Sequence, residues 1–301
     1  MTTKESTAFS APGNWYRGNL HTHTTRSDGH KSPEECIAFY KEHGYDFLSI
    51  TDHRLGPNIT ASEDILIIPG IETHCSDPVR RVSYHIVGIG LKQPFDEDLE
   101  ATKGPAQDLV DMIRAHGGEA ILAHPYWCGQ SFDDTLAIKD ILGVEIYNAT
   151  CARIGKATST VYWDWMLDRK HRGGEPAIWG LAVDDAHHYD IDACQGWIMV
   201  KAPELSVEAV MNAIRQGHFY STQGPAIVDF RIDNDMVHVH TSPVKEIRLM
   251  SNRAKGKLFQ AAPGELITSA SCPVWKNHYI RVECVDENNR MAWSQALYIG
   301  E

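Results

Sequence analysis

No apolar run in this 301-residue chain approaches the roughly 20 residues that a membrane-spanning helix needs. The start is no more suggestive of export. Met1 to Gly13 is polar, lacks the apolar core of a secretory signal, and residues 1–13 are expected to form a flexible tail. Cysteine is sparse in pattern: seven residues, an odd number, with no Cys-x-x-Cys pair. That speaks against a disulfide framework and against a cysteine-based zinc site, and makes a reducing cytoplasm the expected location. Basic residues are outnumbered, with 28 Lys and Arg against 40 Asp and Glu and a formal charge of −12. An acidic surface is a poor general binder of nucleic acid, whose affinity comes largely from cations on phosphates. It does not exclude one small anionic substrate, provided positive charge is supplied locally. There is no internal repeat and no low-complexity segment, and nothing fixes an oligomeric state.

What is present is an ordinary globular composition, 43% hydrophobic and 23% charged, on a chain long enough for one barrel-sized domain and a small appendage. Ser32-Pro33-Glu34-Glu35 predicts a helix start, with a capping Ser, Pro at the first position and acids at the positive end of the dipole; Gly44 is its stop. Apolar runs at 45–50, 65–72, 82–91, 120–123, 143–148, 177–183 and 196–201 predict strands. Helical patterns are expected near 106–116, 158–171 and 206–216. Alternating strand and helix predicts a parallel sheet, and this many units an α/β barrel over 14–225. After Gly224-Pro225 the texture changes to short runs at 227–232, 236–240, 246–250, 278–285 and 294–299 with no helix between them. Residues 226–301 are therefore expected to form a small all-β, sandwich-like domain.

The chemistry gathers where the proposed strands end. His21 and His23 share one face of an extended segment, and Asp28 follows within reach. His53, Glu72, His85, His124, Asp185 and His187 stand at or near the ends of later strands. A lone His at a strand end is usually a hydrogen-bonding loop residue. Nine N/O donors at the ends of six strands, on the face where barrels build their sites, are another matter. Six imidazoles and three carboxylates exceed the needs of one tetrahedral ion and fit two or three divalent ions, with Glu72 able to bridge. The absence of thiolate favours Mn, Fe or Zn. Three carboxylates against four or six positive charges leave a positive pocket in a negative protein, suited to a small phosphorylated substrate. His238 and His240 repeat the His-x-His spelling, but Val237 and Val239 are expected to face inward there, leaving the histidines to solvent. His30, His43, His116, His171, His218 and His278 lack carboxylate company. His74 shares a face with Glu72 and competes with His85, while Asp184 and His188 are expected behind the ligands.

Together His21-Thr22-His23 with Ser27-Asp28-Gly29, Thr51-Asp52-His53, Gly70-Ile71-Glu72, His85-Ile86-Val87-Gly88, Ala123-His124-Pro125 and Asp185-Ala186-His187 resemble the PHP (polymerase and histidinol phosphatase) family, in family order and across residues 14–225. The Trp15–Asn19 lead-in and the segment after Tyr220–Gly224 resemble its carbaryl-hydrolase-like branch. The resemblance implies a distorted (β/α)7 barrel with a trinuclear site. It would place one ion on His21, His23, Glu72 and Asp185, a second on Glu72, His85 and His124, and a third on Asp28, His53 and His187. Of the pair Asp184-Asp185, only the second stands two residues from His187.

The expected activity is hydrolysis of a phosphate mono- or diester by an activated water. Asp185 or His187 would handle its proton, and His124 and Asp185 would be indispensable. Arg26, Arg54 and Arg153 are candidates to clamp phosphate oxygens; Tyr126, Trp127, Tyr147 and Asn148 are candidates for the leaving group. Two rivals stand beside it: a carbamate, ester or amide hydrolase on the same ions, and a noncatalytic metal- or ligand-binding protein.

Overall fold

The first helix is written into four residues. Ser32 accepts from the amide of Glu35 at 3.3 Å, Glu35 reaches back to the amide of Ser32 at 2.8 Å, and Pro33 fills the first turn. Such a reciprocal cap contributes about 1 kcal/mol. The helix, α1 (Pro33–Glu42), buries Cys36, Ile37 and Tyr40, and Gly44 leaves it at φ +74°.

The computed structural model describes residues 7–54, 62–63, 65–93, 100–276 and 278–299. Strands β1 (Asn14–Asn19), β2 (Phe47–Leu48) and β3 (Leu66–Ile67) run parallel. Next come β4 (Gly70–Ser76), β5 (Ser83–Ile89), β6 (Glu119–Leu122), β7 (Gly143–Asn148) and β8 (Trp179–Val183), which form a five-stranded sheet in that order. β9 (Trp197–Ala202) lies antiparallel to β1, and β10 (Phe219–Thr222) antiparallel to β9. The connections carry α2 (Ala106–Ala115), the short α3 (Pro125–Cys128), α4 (Phe132–Ala137) and α5 (Ala149–Ala152), then α6 (Thr160–Arg172) and α7 (Val207–Arg215).

The architecture is mixed α/β, and the sheets are mixed where strict alternation predicts parallel ones. β4 and β5 are antiparallel, as are β5 and β6. The reason is local. Asp77 to Val82 closes a tight turn, with Asp77 N donating to Val82 O at 3.0 Å, so no crossover helix intervenes. The apolar run 65–72 is likewise two strands, β3 and β4, rather than one. Two isolated parallel bridges, Thr22 to Ala186 and His53 to Glu72, join segments beyond the ends of β1, β2 and β8.

Eight strands follow: β11 (Ile227–Asp233), β12 (Met236–Val244), β13 (Glu246–Met250), β14 (Gly256–Gln260), β15 (Ile267–Pro273), β16 (Tyr279–Val285), β17 (Met291–Ser294) and β18 (Leu297–Tyr298). β11, β12 and β15 form a sheet of their own. β14, β13, β16 and β17 instead continue the sheet of β10, β9, β1, β2 and β3 through the β10–β17 pairing. The two layers bury Phe230, Val237, Val239, Ile247 and Val282 between them. His238 is half-buried and His240 exposed, on the face opposite Val237 and Val239.

The expected flexible tail lies outside the described residues as far as residue 6. From Thr7 onward it packs: Ala8 and Ala11 are buried, and the Phe9 ring lies 5.8 Å from Trp15 and 6.2 Å from Tyr220. All seven cysteines are unpaired, and among the described residues no helix is long and apolar enough to cross a membrane.

Candidate metal centre

Beyond β1 the chain stays extended through His21-Thr22-His23, pinned by Thr22 N to Thr51 Oγ1 at 3.0 Å and Thr51 N to Thr22 O at 2.8 Å. Asp52 then folds the following loop. It accepts from Thr24 N and Thr24 Oγ1, both at 2.7 Å, and from Ser27 Oγ at 2.8 Å, which returns Asp28 toward His23. The bridge at His53 sets that residue beside Glu72 on β4. His85 is delivered differently. β5 runs opposite to β6, so its beginning lies beside the end of β6, and Ala123 N donates to His85 O at 3.0 Å. His124 and Asp185 follow the ends of β6 and β8 in left-handed backbone, φ +26° and +55°. Non-glycine residues held so at a site are unfavourable by about 1–3 kcal/mol and persist only when their surroundings fix them. Here Glu145 Oε2 accepts His124 N at 2.9 Å, and His21 O accepts Asp185 N at 2.9 Å. His187 is fixed by Asp192, which accepts its amide at 3.2 Å.

All nine candidate ligands converge. Their donor atoms form three groups, each within 4.8 Å: His21, His23, Glu72 and Asp185; Glu72, His85 and His124; and His23, Asp28, His53 and His187. In the first, His21 Nε2 and His23 Nε2 are 3.1 Å apart. Each lies 3.1–3.2 Å from both Glu72 Oε2 and Asp185 Oδ1. Glu72 Oε1 meets His85 Nδ1 at 2.8 Å and His124 Nε2 at 3.3 Å. Asp28 lies 3.4–3.6 Å from His187, His53 and His23.

Tautomer logic makes this cluster a cation site. Glu145 Oε1 sits 2.5 Å from His21 Nδ1, and a carboxylate only accepts, so Nδ1 carries the proton. His21 Nε2, 3.2 Å from two carboxylate oxygens, must then either carry a second proton or give its lone pair to a metal ion. Converging lone pairs in a buried pocket repel unless a cation, metal or proton, lies among them. Asp185 Oδ1 meets the two imidazoles of His21 and His23, and His53 Nδ1 lies 3.2 Å from Glu72 Oε2. The donor set, oxygen and imidazole nitrogen with no thiolate, fits a divalent ion of borderline hardness.

The titrations carry the same message. Burial pushes the His23 imidazole down, but hydrogen-bonding Asp185 and Glu72 outweigh it and lift its pKa to about 9. His21 rises for a related reason, with the charges of Asp185, Glu145 and Glu72 overriding burial. Glu72 and Asp185 would be raised by burial, yet the facing histidines, His21 foremost, hold both well below the usual carboxylate range. The pocket prefers positive charge.

The other candidates divide. His74 joins none of the three groups; its Nε2 accepts from Arg54 at 2.7 Å. Asp184 is buried and accepts from Tyr40 Oη and the amides of Cys194, Gln195 and Gly196 at 2.8–2.9 Å, shaping the loop behind Asp185. His188 packs edge-on against His30 at 4.0 Å. Asn148, a candidate for the leaving group, is instead buried, its amide donating to Glu145 Oε2 at 2.9 Å and Asp185 Oδ2 at 3.1 Å. Tyr147 is also buried, its ring 6.0 Å from that of Trp293. Tyr126 is exposed, with Lys156 5.5 Å above its ring, while Trp127 stands 5.2 Å from His124 and 5.6 Å from His85. Arg26 is half-buried on the Asp28 loop and Arg153 is exposed after α5. Glu145 is the residue that sequence reasoning missed. The signal was available, as one acid inside the apolar run 143–147.

Sequence comparison gives two partial relatives. An uncharacterised protein of Methanocaldococcus jannaschii is 25% identical over 146 residues, covering 44% of this chain and 82% of that one. A phosphoribosyl 1,2-cyclic phosphate 1,2-diphosphodiesterase of Eggerthella lenta is 28% identical over 81 residues, 25% of this chain. The chain spans only 31% of that enzyme's length. Among solved structures, a two-domain protein of Bacteroides vulgatus containing a predicted PHP-like metal-dependent phosphoesterase aligns over 99% of this chain and 100% of its own. The identity there is 12% and the TM-score 0.49. No family model matches the chain.

Proposed function

We propose that this protein is a metal-dependent hydrolase of small phosphate mono- or diesters, with two or three divalent ions (Mn, Fe or Zn) held by His21, His23, Asp28, His53, Glu72, His85, His124, Asp185 and His187. The observation that carries this is the convergence of His21 Nε2, His23 Nε2, Glu72 Oε2 and Asp185 Oδ1 within 3.1–3.2 Å across the His–carboxylate contacts. The partial likeness to a phosphodiesterase supports the choice of bond. We also read residues 14–225 as a distorted seven-stranded barrel and 226–301 as its all-β appendage; the Thr22–Ala186 and His53–Glu72 bridges favour the former.

Bound divalent ions would supply an acidified water as nucleophile and would offset the charge that develops on phosphorus. The chain does the rest. Glu72 and Asp185 each face both His21 and His23, and Glu72 also reaches His85 and His124. Glu145 holds the proton on His21 Nδ1 and so keeps Nε2 available. Asp185 or His187 would take the water's proton, both standing in the groups around the cluster. Arg26, Arg54 and Arg153 are the cations available to the phosphoryl oxygens, and Tyr126 the aromatic available to the leaving group. The test is an assay of the Mn²⁺-reconstituted protein on aryl phosphate mono- and diesters beside aryl carbamates. Phosphate turnover supports the proposal; carbamate turnover with inert phosphates moves the site to acyl chemistry.

A further inference from the structure

We propose that Arg54, tethered by His74, is a preorganised anion-receiving arm at the mouth of the His–carboxylate cluster, and that His74 is its positioning residue. The inference rests on the phosphoester reading above for what the arm receives.

Arg54 follows His53 directly, and its backbone is turned by a left-handed conformation, φ +56°, with its amide donating to Glu72 O at 2.9 Å. That turn aims the side chain across β4, where Nη2 meets His74 Nε2 at 2.7 Å. A guanidinium only donates, so His74 Nε2 is the acceptor and its ring is neutral. Among the described residues this is the ring's one hydrogen bond, and His74 Nδ1 is buried without a partner. The imidazole is itself anchored, stacked on His85 with centroids 4.9 Å apart at 18° and set edge-on to His53 at 5.5 Å. Among the described residues Arg54 has no carboxylate partner, in a protein with a twelve-charge acidic surplus where surface arginines readily find one. An exposed arginine held by a neutral acceptor keeps its charge unspent and loses its rotamer freedom before a ligand arrives. Its planar fork matches two oxygens of a phosphoryl group. The guanidinium thus stands one ring away from two candidate ligands, His53 and His85.

The test measures inorganic phosphate binding to Mn²⁺-loaded protein by calorimetry, with metal content and steady-state kinetics on an aryl phosphate alongside. Arg54→Gln should weaken phosphate binding about tenfold or more and raise KM in step, with metal content unchanged. His74→Phe keeps a ring on His85 but removes the acceptor, and should weaken binding severalfold. His74→Gln restores an acceptor and should recover most of the loss, which a merely packing role would not produce. Unchanged phosphate affinity in Arg54→Gln, or His74→Phe indistinguishable from wild type, overturns the inference, as does loss of metal from His74→Phe. Phosphate binding that depends on Arg54 without phosphoester turnover leaves the arm standing and removes the phosphoesterase reading. Turnover with a KM indifferent to both residues does the reverse.

Discussion

Glu145 Oε1 lies 2.5 Å from Nδ1 of His21, with both side chains almost wholly buried. The second oxygen of the same carboxylate accepts the backbone amide of His124 and the amide group of Asn148, both at 2.9 Å. One acid therefore sets the tautomer of one candidate ligand and the strained backbone of another. Glu145→Gln should lower metal affinity about 10–100-fold while leaving the circular dichroism spectrum intact. Chelator-competition titration measures it. Wild-type affinity in the variant would show that the contact is packing alone.

Protons and metal ions compete for this pocket. Six imidazoles must be neutral to ligate, and carboxylate neighbours lift His23 to about 9 in the metal-free protein. Loading at about pH 7 should therefore release protons, and metal affinity should rise with pH across the titration of these histidines. Calorimetry in buffers of different ionisation enthalpy reads the proton count directly. A pH-independent affinity would contradict it.

Away from the site, Asp77 organises the turn between β4 and β5. Burial would raise its pKa, but the amides of Arg80, Ala106 and Val79 donate to it at 2.8–3.0 Å and hold it below its ordinary range. A carboxyl depressed on folding adds stability above its unfolded pKa, and that contribution is lost as pH falls through the folded value. Asp77→Ala should cost about 1–3 kcal/mol near neutrality. The gap from wild type, read from urea melts, should narrow as pH drops below about 4. A gap constant with pH would deny the carboxylate its role.

Arg281, 1% exposed, joins β16 to α6. Its guanidinium donates to both oxygens of Asp164 at 2.8 Å and to Glu283 Oε1 at 2.7 Å. Removing one partner strands the others, so Arg281→Met should destabilise by about 3–5 kcal/mol in chemical denaturation. A loss under about 1 kcal/mol would mean that water reaches the two acids.

How much of this was legible beforehand follows from the physics of each signal. The nine candidate ligands were visible because metal-binding residue types stand out at or near the ends of apolar runs, and their donor atoms meet in three groups. The reversal of β5 was not visible, because an apolar run has no direction. His85 thus joins its group from near a strand's beginning. β14 and β15 were missed because most of their residues are exposed and the two that β15 buries, Ala270 and Cys272, are small. Every residue of β7 is buried, so period two could not tell which way Glu145 pointed. The partners of Asn148 were hidden for a related reason: its type says that it hydrogen-bonds, not that its amide group donates to Glu145 and Asp185.

If the cluster collects several divalent ions and those ions drive phosphoester cleavage, metal content and rate must rise together. A titration of chelator-stripped protein with Mn²⁺, following bound metal by elemental analysis and aryl phosphate hydrolysis in the same samples, reads both. The rate should climb until about two to three equivalents are bound and be absent at any loading in Asp185→Asn. Hydrolysis that persists in stripped protein, or full loading with no hydrolysis of any phosphate ester, would contradict that link.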